Sequence, residues 1–155
     1  MTDPVGELRG LDFSTVTPER FAAMVKAMSG EQLRAVFADV PLGERVLDEV
    51  FGRVGRQFRP EAAGSLRALV RWQITGAPGR RAVYETHIAD GACTVRRGGS
   101  DAEPRLAFTL RDADFLRLVS GNATPVALLL RRRVRVTGDL ALAAALTRYF
   151  AIPRP

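Results

Sequence analysis

The chain has 155 residues, 46% hydrophobic and 26% charged, with a formal net charge of +6 and a single cysteine. This length fits one domain with a small appendage and allows a core without covalent staples. One cysteine, Cys93, excludes an intramolecular disulfide framework and a multi-cysteine zinc site.

Met1 to Gly6 has neither a basic segment nor an apolar run, so no secretory signal is expected and the reading is cytoplasmic. Thr17-Pro18-Glu19 is a helix start: a capping threonine, proline at the first helical position, then an acid. Phe21, Met24, Val25 and Met28 follow on one face. Ser29 with Gln32 predicts a capping box for a second helix striped by Leu33, Val36, Phe37 and Val40, with Pro41-Leu42-Gly43 as its breaker. A third helix carries Leu47, Val50, Phe51, Val54 and Phe58 and ends before Arg59-Pro60, because a residue preceding proline avoids helical geometry. Gly52 and Gly55 each cost that helix up to ~1 kcal/mol.

The period then changes from helix to strand. Leu66, Ala68, Val70, Trp72 and Ile74 alternate with Arg67, Leu69, Arg71, Gln73 and Thr75, predicting a half-buried strand. Gly76-Ala77-Pro78-Gly79 predicts a turn. The next strand presents Ala82, Tyr84 and Ile88 on one face and Arg81, Glu85 and His87 on the other. Asp90-Gly91 is a two-residue hairpin signal that sets Ala89 opposite Ala92, Ile88 opposite Cys93 and Thr86 opposite Val95. Glu85 then meets Arg96 as an opposite-charge cross-strand pair. Gly98-Gly99-Ser100 closes the strand, and Leu106, Phe108 and Leu110 mark a fourth.

Asp112 and Asp114 sit where a helix N-terminus favours negative charge, Phe115, Leu118 and Val119 form the stripe, and Gly121 stops it. Thr124-Pro125 restarts a short helix through Leu130. Arg133 to Val136 is a short alternating strand, and Gly138-Asp139 caps a last helix with Leu142, Leu146, Tyr149 and Phe150. The longest apolar stretches, Val126–Leu130 and Leu140–Leu146, fall far short of the ~20 residues needed to span a bilayer. The fold class is α+β: a mainly antiparallel sheet whose one apolar face is covered by helices.

Chemistry-bearing residues are sparse. His87, the only histidine, falls on the polar strand face and Cys93 on the apolar one, so they cannot form a dyad. Cys93 reads as a small buried hydrophobe and His87 as a solvated residue. Asp112, Asp114 and Asp139 are explained by helix starts, while Asp101 and Glu103 lie in a loop. There is no P-loop, dinucleotide fingerprint or metal-ligand spacing, so no catalytic residue, cofactor or metal is assigned. Asn122-Ala123-Thr124 matches a glycosylation acceptor by chance, given no secretory route.

Lys26 is the only lysine, so 22 of the 23 basic residues are arginine, spread along the whole chain as solubility charge is. The densest cluster is Arg131, Arg132, Arg133 and Arg135. In one reading these cap a helix end and decorate a strand's solvent face. In the other they attract phosphate, from a lipid headgroup, an acyl-CoA or nucleic acid, with a transient anionic membrane contact as a further partner. No aromatics are interleaved, which counts against nucleic acid.

One stretch resembles a known family. Phe108-Thr109-Leu110-Arg111-Asp112-Ala113-Asp114-Phe115, then Gly121-Asn122, Pro125, and Val134 to Leu140 resemble the sterol carrier protein 2 (sterol-binding) family. Val46 to Phe51 and Trp72 to Thr75 look like its first helix and first strand. The resemblance spans about residues 44–150 and leaves 1–40 as an added helical extension before a lipid-binding domain at 41–155. Arg132 stands where the family usually carries glycine before the fifth strand. The resemblance implies a five-stranded sheet and an apolar tunnel for a sterol, fatty acid or acyl-CoA, with a non-catalytic carrier role. The lining expected from the apolar faces is Phe51, Val70, Trp72, Tyr84, Phe108, Phe115, Leu118, Leu129, Val136, Leu142 and Leu146. The rival is an interaction or accessory module with a closed cavity, docking a protein through residues 17–40. A third, an enzyme using the apolar pocket, would need converging carboxylates. Residues 1–40 also suit a lid.

Overall fold

The computed structural model describes residues 4–13, 15–76 and 79–152. Side-chain caps set where its N-terminal helices begin. Helix α1 (Pro4–Arg9) comes first. Thr17 accepts from the Arg20 amide to start α2 (Pro18–Ala27). The Ser29–Gln32 capping box starts α3 (Gly30–Ala38), with bonds of 2.8 and 3.1 Å. Asp39 accepts from the Leu42 amide to start α4 (Val40–Arg56). Pro41-Leu42-Gly43 is therefore not a breaker but the first turn of α4, where a missing proline N–H costs nothing. Val40, expected on the buried stripe of α3, opens α4 and is 42% exposed. α4 stops at Arg56, short of Phe58, and a one-turn helix α5 (Pro60–Ala63) follows. α1 and α5 are too short to show a periodic stripe in the sequence.

The sheet contains β1 (Ala68–Gly76), β2 (Arg80–Ala89), β3 (Ala92–Arg97), β4 (Leu106–Arg111) and β5 (Val134–Gly138), in the order β3-β2-β1-β4-β5. The Asp90-Gly91 turn has φ of 53° and 72°, the left-handed pair that a two-residue hairpin requires. Its register places Ile88 opposite Cys93 and Glu85 opposite Arg96. Ala77 and Pro78 of the predicted β1–β2 turn lie outside the described residues. β1, β2 and β3 form the expected meander, but β4 joins β1 in parallel and β5 returns antiparallel to β4.

One correction concerns Glu85. Its ion pair runs to Arg71 on β1, at 2.8 Å, and not to Arg96. The same guanidinium donates to the carbonyls of Ser100 and Ala102, while the Ser100 amide donates to Glu85 Oε1. This clamp folds the β3–β4 loop over the sheet's outer face and leaves Glu85 only 3% exposed.

Helices α6 (Asp112–Val119), α7 (Pro125–Leu130) and α8 (Leu140–Ala145), with a 3-10 turn over Leu146–Tyr149, complete the chain. Residues of α1, α2 and α3, including Leu8, Phe21, Leu33 and Phe37, join the same buried cluster as α4, α6 and the sheet's inner face. Arginines of α4 fasten the segment between α1 and α2. Arg45 donates to the carbonyls of Arg9 and Leu11, and Arg53 to those of Phe13 and Val16. Both guanidinium groups also lie over phenylalanine rings, Arg45 on Phe13 at 5.0 Å and Arg53 on Phe21 at 5.6 Å. The Asn122 side-chain amide donates to the Ala22 carbonyl, tying α2 to the end of α6.

Candidate functional site: an apolar slot between sheet and helices

The inner face of the sheet carries an aromatic cluster because strand alternation aims Trp72, Tyr84 and Phe108 the same way. Phe51 of α4 and Phe115 of α6 close onto them. Phe51 stacks on Tyr84 at 3.9 Å and on Phe115 at 4.8 Å, and Trp72 stacks on Phe108 at 4.6 Å. Trp72 also meets Phe51 and Phe115 edge to face. Each polar handle is satisfied beside the cluster. Trp72 Nε1 donates to Thr86 Oγ1 at 3.2 Å, and the Tyr84 hydroxyl donates to Asp48 Oδ1 at 2.6 Å. Burial, then the Asp48 carboxylate, push the Tyr84 hydroxyl well above its ordinary pKa, so it stays a neutral donor.

Next to this cluster is an apolar cavity of about 50 Å³. Its wall includes Phe51, Trp72, Phe108, Phe115, Leu118 and Leu146, six of the side chains expected as lining. Val70, Tyr84 and Leu142 are buried elsewhere in the core, and Val136 is half-buried on β5 opposite Phe108. Leu129 is mostly exposed and is not part of the cavity wall.

The remaining wall was not anticipated: Val54, Gln57, Val119, Pro125, Thr147, Phe150 and Ile152. Val54, Val119 and Phe150 belong to the apolar stripes. Gln57 and Ile152 carry no such signal. Gln57 caps the end of α4 and Ile152 comes with the C-terminal segment, which is laid across residues 57–59: Phe58 bridges Phe150, the Arg59 amide donates to the Tyr149 carbonyl, and the Ala151 amide donates to the Gln57 carbonyl, the last two at 2.7 Å. The rings of Phe58 and Phe150 lie 5.7 Å apart. Outside this latch runs an open groove that shares Leu118, Pro125, Thr147, Phe150 and Ile152 with the cavity.

None of the four clustered arginines lines the cavity or the groove; Arg59 borders the groove instead. Arg131, Arg132 and Arg133 form the exposed α7–β5 turn, and Arg135 pairs with Thr109 in the register, with its side chain exposed. Arg132 has φ of 57°, the left-handed conformation that favours glycine. Arg133 reaches Asp114 at 3.3 Å, and Arg117 reaches the same carboxylate at 3.4 Å.

His87 is exposed on the outer face, while Cys93 faces inward beside Ile88. Burial raises the Cys93 thiol to about 11, so it is almost wholly protonated at neutral pH. Among the described residues no group of three or more His, Cys, Asp or Glu is placed to hold a metal ion, and no helix is long and apolar enough to cross a membrane.

Residues 51–151 match the model of the SCP-2 sterol transfer family. Among solved structures, similarity extends to sterol carrier protein 2 like 2 from Aedes aegypti, at 22% identity over 68% of this chain and 93% of that one, with a TM-score of 0.54. The solution structure of the palmitated form of that mosquito protein gives 20% identity over 72% and 96%, again with a TM-score of 0.54. The Pseudomonas sec-alkylsulfatase Pisa1, in a double-mutant form, matches 98% of this chain with 30% of its own, at 12% identity and a TM-score of 0.56.

Proposed function

The chain belongs to the SCP-2 sterol transfer family, a family of lipid binding and transfer, and from that premise we propose that it carries one apolar lipid in the slot between sheet and helices. The ligand class is a sterol, fatty acid or acyl-CoA, and the role is non-catalytic. The observation that supports this reading best is the composition of the slot. Aromatic and aliphatic side chains from α4, β1, β4 and α6 surround it, and its wall continues into a surface groove past the C-terminal segment. A hydrocarbon chain gains ~0.8 kcal/mol per methylene buried in such surroundings. That the mosquito protein of similar fold has a solution structure in palmitated form supports an acyl ligand class for this reading.

A cavity of about 50 Å³ is smaller than the roughly 300–1,000 Å³ of ligand pockets, so loading requires the slot to widen. Two parts of the wall are placed to yield: the Phe51–Phe115 stack and the latch over Gln57. The same small volume favours a second reading, an accessory module with a permanently closed cavity. Native mass spectrometry of the delipidated full chain separates the two. Incubation with palmitate or cholesterol should give a one-to-one adduct. A chain that stays ligand-free across sterols, fatty acids and acyl-CoAs establishes the second reading instead.

A further inference from the structure

Helix α7 is built almost wholly from aliphatic residues, yet only Leu128 is buried. Val126, Leu129 and Leu130 lie at i, i+3 and i+4, one helical face, and are 61%, 52% and 79% exposed. An exposed aliphatic face of this kind marks an interaction site. The chain then turns through Arg131, Arg132 and Arg133, all exposed. Arg133 is offset by Asp114, while Arg131 and Arg132 have no ion pair among the described residues.

We propose that α7 is a membrane-docking tip: Val126, Leu129 and Leu130 insert between the headgroups of an anionic bilayer while Arg131 and Arg132 pair with its phosphates and carboxylates. Charge and composition favour this occupant over a protein. The face is purely aliphatic and lacks the tyrosine or tryptophan anchors on which protein hot spots rely. Its apolar face ends in an unneutralised arginine pair, the arrangement of interfacial helices that bind anionic lipid.

Position adds a purpose. Pro125 and Val126 of this helix border the surface groove, and Pro125 also borders the cavity, so a docked tip holds the slot's mouth against the bilayer. The inference rests on the carrier reading for that purpose, though not for its geometry.

The test is sedimentation of the full chain with phosphatidylcholine vesicles, with and without about 30% phosphatidylserine. In parallel, uptake of a fluorescent fatty acid is measured from monodisperse solution. Binding should require phosphatidylserine. It should fall on the order of 10-fold for the pair Leu129→Ser and Leu130→Ser. It should fall about five-fold for each of Arg131→Gln and Arg132→Gln. All four side chains are exposed, so thermal unfolding should be unchanged and solution uptake retained. Failure to sediment with phosphatidylserine vesicles, or sedimentation indifferent to these substitutions, overturns the docking tip. Substitutions that spare vesicle binding but abolish binding to an acidic protein overturn it in favour of a protein partner. Absence of solution uptake by the unsubstituted chain, with its phosphatidylserine-dependent sedimentation intact and lost on substitution, would sink the carrier reading and leave the tip standing.

Discussion

Gly138 ends β5 with φ of 101°, and a Cβ there would collide with the Arg105 backbone carbonyl across the β4 edge. Backbone on backbone has no soft end to move. Gly138→Ala should therefore destabilise the fold by more than about 2 kcal/mol, read as a lower denaturant midpoint at unchanged slope. Arg132 presents the opposite case. It occupies a left-handed conformation, one that favours glycine, at an exposed turn. Arg132→Gly should raise stability by about 0.5 kcal/mol, the strain released less the extra freedom of the unfolded glycine.

Glu85 carries a pH signature. Burial opposes its charge, but hydrogen bonds from Arg71 and Ser100 outweigh that penalty and hold its carboxyl below the ordinary value. A group depressed in the folded state stabilises fully above its unfolded pKa, and the contribution disappears as pH falls through the folded value. Glu85→Gln should thus cost stability at pH 7, by about 1–2 kcal/mol, and flatten the acid limb of a stability–pH profile. An unchanged acid limb would mean that the Arg71 clamp is not formed in solution.

At the scale of elements, the C-terminal latch forms part of the slot's wall and is the place where its opening is best tested. Two backbone hydrogen bonds, one bridge and the Phe58–Phe150 ring pair hold residues 149–151 across 57–59. Phe58→Ala removes the ring contact while leaving both hydrogen bonds. Stopped-flow mixing with a fluorescent fatty acid should then show faster uptake and release, several-fold, with little change in unfolding temperature. Unaltered rates would locate the opening elsewhere in the wall. Much at this scale was legible beforehand. Capping at Thr17, Ser29 and Asp139, the Asp90-Gly91 turn and the inner faces of β1 and β4 all follow from residues a few positions apart. The latch was not legible, because it joins segments about ninety residues apart through backbone groups that any sequence supplies. The parallel β1–β4 pairing escaped for the same reason. Six cavity residues were foreseen since an apolar face is a local pattern, whereas the cavity's volume depends on how five rings interlock.

For the whole molecule, residues 4–40 carry more weight than a lid or an appendage would. Leu8, Phe21, Leu33, Val36 and Phe37 are buried in the common cluster, and Arg45 and Arg53 fasten the segment between α1 and α2. Removing residues 1–40 would expose the partner faces of α4 and α6. We expect the shortened chain to unfold at much lower denaturant or to aggregate, with the loss visible by circular dichroism. Retention of full stability would return these helices to the role of a detachable cover.

A lipid entering this slot lies beside Trp72, so the molecule carries its own reporter. Trp72 is the only tryptophan, it is buried, and its ring forms part of the cavity wall. Titration of the delipidated full chain with cis-parinaric acid should quench Trp72 emission by energy transfer, saturating at one ligand per chain, with palmitate restoring it by competition. Emission that declines without saturation, or that palmitate does not restore, would contradict a lipid bound in this slot.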